Sequence, residues 1–153
     1  MAKIHRLKTS IILPLEIDET FSFFADASNL EIITPPELCF HITTPRPFKI
    51  NEGTEIDYRL RLHGLPIAWR ARITNWNPPY RFVDEQIQGP YKLWVHIHRF
   101  YDHDGSTEVV DEVWYQLPLW PLGEIVYPLV AAQLRRIFRF RKQAILKALP
   151  GVM

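Results

Sequence analysis

The chain has 153 residues, 47% of them hydrophobic and 23% charged. That is enough apolar material for one folded domain spanning residues 1–153, and too much for a disordered chain. A formal net charge of +1 excludes a strongly basic nucleic-acid binder, so nucleic acid is not an expected partner. A single cysteine, Cys39, cannot form an intramolecular disulfide and leans towards a reducing compartment. No stretch approaches the ~18 apolar residues of a membrane span, and residues 11–15 are too short for a signal-peptide core. A cytoplasmic protein is expected.

Residues 5–15 alternate, with Leu7, Ile11 and Leu13 on one side and Arg6, Lys8 and Ser10 on the other, which predicts a strand with one buried face. Asp18 stands where an N-cap belongs, ahead of Phe21, Phe23 and Phe24 in a short helix. Ser28 and Glu31 have the spacing of a capping box for a second short helix, which Pro35 and Pro36 stop. Strand text follows: 38–44, closed by Pro45 and Pro47; 53–63, where Ile56, Tyr58, Leu60 and Leu62 alternate with charged residues; and 67–76 after a Gly64-Leu65-Pro66 turn. Then come 81–88 and 91–101, joined at Gly89-Pro90, and finally 107–116 after the hairpin loop Asp102-His103-Asp104-Gly105. From 122 to 149, Leu122, Ile125, Val126, Leu129, Leu134, Ile137, Phe138, Ile145 and Leu149 recur at helical spacing, with Pro128 a kink near the start.

Short turns between consecutive strands imply an antiparallel meander. The expected architecture is α+β: seven strands curved around one long C-terminal helix, with two short helices between strands 1 and 2. One helix cannot fill the concave side of so wide a sheet, so a pocket is expected beside it.

Certain residues carry a family resemblance: Arg81-Phe82-Val83-Asp84-Glu85-Gln86, Gly89-Pro90-Tyr91, Trp94, His96-x-His98 and Phe100. Thr107, Asp111, Val113, Tyr115, Leu117-Pro118 and Ile137-Phe138-x-x-Arg141 continue it. With the element order, they make the chain resemble the helix-grip fold of the START-like (SRPBCC) superfamily, in its bacterial polyketide cyclase/dehydrase-like or ligand-binding branch. The resemblance implies an internal cavity for a hydrophobic small molecule such as a lipid, a polyketide or an aromatic metabolite. It implies no catalytic residue set.

Trp94, His96, His98 and Phe100 share one face of their strand, which is expected to point inward and stack on a flat ligand. Tyr58, Trp69, Trp94, His96, His98, Asp111 and Tyr115 are the expected pocket residues. His96-x-His98 with Asp84 or Asp111 has the makings of a metal set, but no second motif supports it, so neither metal nor cofactor is expected. Inward-facing Asp84, Glu85, Gln86 or Asp111 would need a partner, with His96, His98 and Arg70 available. A buried Asp–His pair drawn from Asp84, Asp111, His96 and His98 would suit a cyclase or dehydratase. A structural network, or outward pairing with Arg59, Arg61 or Arg72, is the blander reading. The basic residues Arg135, Arg136, Arg139, Arg141, Lys142 and Lys147 read as a solvated helix face, with a membrane surface as the alternative.

Overall fold

The computed structural model describes residues 3–45 and 48–149. Its seven strands are β1 (Ile4–Leu13), β2 (His41–Ile42), β3 (Glu55–Leu62), β4 (Leu65–Asn77), β5 (Arg81–Gln88), β6 (Leu93–Asp102) and β7 (Thr107–Gln116). All pair antiparallel in one sheet of order β1-β7-β6-β5-β4-β3-β2. The short helices α1 (Ile17–Ala25) and α2 (Ala27–Ile32) follow β1, and the long helix α3 (Leu122–Ala148) ends the described chain. Among the described residues no helix is long and apolar enough to cross a membrane.

Several boundaries differ from the sequence expectation for identifiable reasons. Helix α1 starts at Ile17 after Glu16, whose side chain makes no cap bond, so Asp18 lies in the first turn beside Glu19, where a negative charge suits the helix dipole. Asp26, not Ser28, caps α2: its Oδ1 accepts from the Ser28 backbone N–H at 3.0 Å, while Glu31 accepts from the Ile42 backbone N–H at 3.1 Å. The expected strand 38–44 shrinks to two residues. Pro35 and Pro36 impose a turn in which the N–H groups of Leu38 and Cys39 bond back to their carbonyls, at 3.1 and 3.0 Å, and are lost to the sheet. Pro47 lies outside the described residues. The β3–β4 turn falls at His63-Gly64, both at positive φ (51° and 79°), so Leu65 and Pro66 join β4.

The β4–β5 ladder slips at Arg70/Ala71 and again at Ile73/Asn75. Such bulges sharpen sheet curvature. The second also resets the phase: Trp69, Ala71 and Ile73 are buried, and beyond it Trp76 packs on Phe21 with ring centroids 5.2 Å apart.

Helix α3 corrects the expected stripe. Leu122, Ile125, Val126 and Leu129 are exposed, and Gly123, Ala131, Leu134, Phe138 and Ile145 face the sheet. Gly123 sets this phase, because a Cβ there would lie 2.3 Å from the Pro118 carbonyl oxygen; only hydrogen fits so close an approach. The core falls into two clusters. One gathers Phe21, Phe82, Phe100 and Ile145 near α1. The other gathers Trp69, Trp94, Tyr115, Leu134 and Phe138 near the middle of α3.

Candidate functional site

A cavity of ≈190 Å³ touches both clusters and is bounded by the concave sheet face, α2 and α3. Period-2 alternation aims Trp94, His96 and His98 of β6 at it, together with Tyr58 and Leu60 of β3 and Trp69 of β4. Its wall carries a contiguous aromatic set: Trp69 meets Trp94 edge-on at 5.3 Å, Tyr91 at 5.7 Å and Tyr58 in a stack at 5.8 Å between centroids. Tyr91 precedes β6 and is held by Gln86, whose amide donates to the Tyr91 carbonyl at 2.6 Å and accepts from its N–H at 3.0 Å. Burial pushes the Tyr58 phenol well above its ordinary pKa, aided by the charge of Asp84, so it stays neutral.

Beside this apolar wall, further along the same face of β6, lies a polar one. His96 and His98 stack at 3.8 Å between ring centroids, and Phe82 stacks on His98 at 4.0 Å. Register places Asp84 of β5 directly across from His96, and Asp111 of β7 directly across from His98. The two imidazoles therefore lie between two carboxylates. His96 Nε2 is 2.8 Å from Asp111 Oδ1, and His98 Nε2 is 2.8 Å from Asp84 Oδ2. The cross contacts are longer: His98 Nδ1 to Asp111 Oδ1 at 3.2 Å, and His96 Nδ1 to Asp84 Oδ2 at 3.8 Å. Arg141 of α3 stands 3.9 Å from the same Asp111 oxygen.

These neighbours split the two histidines. Burial opposes a proton on His98, but its hydrogen bonds to Asp111 and Asp84 outweigh that and raise its pKa. Burial, joined by the charge of His98, wins at His96 and lowers its pKa. Burial alone would raise both carboxyls; Arg141 and the imidazoles instead hold Asp111 well below the ordinary range, and His98 and His96 lower Asp84. When His98 carries its proton, two carboxylates, one imidazolium and one guanidinium sum to zero charge, which makes so buried an ionic group tolerable.

Of the expected pocket residues, Tyr58, Trp69, Trp94, His96 and His98 line the cavity, whereas Asp111 and Tyr115 do not. Asp111 sits behind the imidazoles under Arg141, and Tyr115 is screened by Tyr91 and Trp94. Asp84 lines the cavity, so both aspartates serve the interior rather than bulk solvent. Arg70 does not reach them; it pairs with Asp57 at 2.7 Å. Gln86 is spent on Tyr91, and Glu85 lies opposite Arg72 in the β4–β5 register. The basic stretch of α3 is not wholly free: Arg136 pairs with Glu37, and Arg141 turns inward. Arg141 and Tyr91 are lining residues that the sequence reading missed. For Arg141 the signal was present, since it falls one turn from both Phe138 and Ile145 on the buried stripe.

No protein-family model and no curated protein matches the sequence. Solved structures do match the fold. The protein TTHA0849 of Thermus thermophilus aligns with a TM-score of 0.73 at 14% identity, over 94% of this chain and 99% of that one. The Zhui aromatase/cyclase from Streptomyces sp. R1128 aligns at 0.71 with 15% identity, over 94% and 92%. Norcoclaurine synthase from Thalictrum flavum, in complex with dopamine and hydroxybenzaldehyde, aligns at 0.67 with 12% identity, over 98% and 91%. By fold, then, this chain shares the helix-grip architecture of these structures, an antiparallel sheet with a long C-terminal helix packed against it.

Proposed function

We propose that the protein binds a small, planar, mainly apolar molecule of one or two rings in the cavity between sheet and α3. The observation that carries this reading is the interior space walled by Tyr58, Trp69, Tyr91 and Trp94 in mutual contact. Volume argues for the size. An apolar cavity of about 150 Å³ holds one benzene, and drug-sized ligands occupy roughly 300–1,000 Å³, so ≈190 Å³ suits a compact aromatic rather than a lipid chain. Burying roughly 200 Å² of apolar surface contributes about 5 kcal/mol, and aromatic pairing adds about 1 kcal/mol per good contact. A dissociation constant on the order of 10–100 μM follows. Dopamine and hydroxybenzaldehyde, bound by a protein of the same fold, are single-ring aromatics.

The test titrates 2-naphthol and, separately, a long-chain fatty acid, following tryptophan fluorescence and native mass spectrometry. The expected result is saturable naphthol binding that Ala71→Phe, which places a ring in the void, abolishes. Tighter binding of the fatty acid, or naphthol binding that survives the filled cavity, would sink the proposal.

A further inference from the structure

We propose that Asp84, His96 and His98 form a divalent-metal site, zinc being the best fit, that opens on this cavity. One ligand atom from each residue lies within 4.8 Å of the other two. A tetrahedral zinc centre with bonds of 2.0–2.1 Å needs ligand atoms about 3.4 Å apart. The two edges through Asp84 Oδ2, 2.8 Å to His98 Nε2 and 3.8 Å to His96 Nδ1, straddle that value.

The surroundings match what metal-bound imidazoles require. A ligating histidine directs its other ring nitrogen at a carboxylate that fixes its orientation. Asp111 does this for both rings, 2.8 Å from His96 Nε2 and 3.2 Å from His98 Nδ1. Two imidazoles and a carboxylate suit zinc or iron(II) rather than magnesium or calcium. Charge also closes: a dication with Asp84, Asp111 and Arg141 leaves +1, which a bound hydroxide or a ligand oxyanion neutralises. All three ligands line the cavity, so the remaining coordination position faces the space where an organic molecule would sit. Seating the ion requires the stacked rings, 3.8 Å apart and 27° from parallel, to turn until their nitrogens converge. Without metal, the imidazole nitrogens hydrogen-bond the two carboxylates instead, at 2.8 Å each.

The experiment uses full-length protein stripped with chelator, titrated with zinc by calorimetry and with cobalt(II) by visible absorption. No organic ligand is present, so this inference and the binding reading fail independently. The expected result is one zinc per chain and the intense visible bands of four-coordinate cobalt. Asp84→Asn and His96→Gln should each abolish both signals with circular dichroism unchanged. Asp111→Asn should weaken zinc about 10- to 100-fold, and His103→Ala, at an exposed histidine, should change nothing. Thermal stabilisation by zinc in the unmodified protein gives a second readout should a variant fold poorly. Absence of saturable zinc binding, or binding that persists in folded Asp84→Asn and His96→Gln, overturns the site.

Discussion

Asp111→Asn removes one charge from the polar wall while keeping its shape. His96 Nε2, His98 Nδ1 and Arg141 all converge on Oδ1 of Asp111, an atom the amide can supply with its carbonyl oxygen, so the geometry survives and only the charge is lost. Below the raised pKa of His98, two cations, Arg141 and the His98 imidazolium, are then left with Asp84 alone. Breaking a buried ion pair from one side costs about 3–5 kcal/mol; the retained acceptor puts the expectation at the low end, near 3 kcal/mol. At a urea dependence of roughly 2 kcal/mol per molar, the unfolding midpoint of metal-free protein should fall by about 1.5 M. The sign of the pH dependence follows from the shifts. The raised pKa of His98 stabilises the fold fully below 6.5, its ordinary value, and that contribution fades as pH rises through the raised value. The lowered pKa of Asp111 stabilises above its ordinary 3.8 and is lost as pH falls through the lowered value. The difference between the two proteins should therefore be largest between those limits and shrink on the alkaline side, where Arg141 alone sustains it. Equal midpoints across that window would show that Asp111 is not coupled to buried cations.

Phe138→Ala should destabilise by about 3–5 kcal/mol, a fall of roughly 10 °C in a thermal melt. Phe138 is buried and sits edge-on to His96 at 5.6 Å. Leu129→Ser on the same helix, 68% exposed, should stay within about 0.5 kcal/mol; equal effects would refute the helix phase set by Gly123. A double-mutant cycle on Asp57 and Arg70, whose side chains are 43% and 41% exposed, should give a coupling below about 1 kcal/mol. A larger value would mean that the outer face of the sheet is less solvated than it looks.

Much of the architecture is legible because the sheet and the long helix each obey a single period over many residues. Gly53 to His63 alternates so regularly that the core of β3 could not be misplaced. Local competition defeated the rest. At Pro35-Pro36 a turn took the N–H groups the sheet needed, and at Asp26 a cap two residues upstream outcompeted Ser28. Along α3 two apolar stripes overlap in sequence, and the one that is buried combines the close Gly123–Pro118 approach with the core packing of Leu134, Phe138 and Ile145. The same ambiguity hid Arg141 among surface cations. The sequence names Asp84, His96, His98 and Asp111, but period 2 alone cannot say which aspartate fronts the cavity. That depends on register across three strands, a long-range property.

Pairing of β1 with β7 joins Ile4 to Gln116 and Leu13 to Thr107, segments about a hundred residues apart. During synthesis the earliest strand must wait, unzipped, until almost the whole sheet has emerged. Loop closure over that distance is slow, and meanwhile the bare edge of β7 can template any passing strand, including that of another nascent copy. Refolding should accordingly be most vulnerable to aggregation at the step that docks the N-terminal strand, well after the central meander has formed.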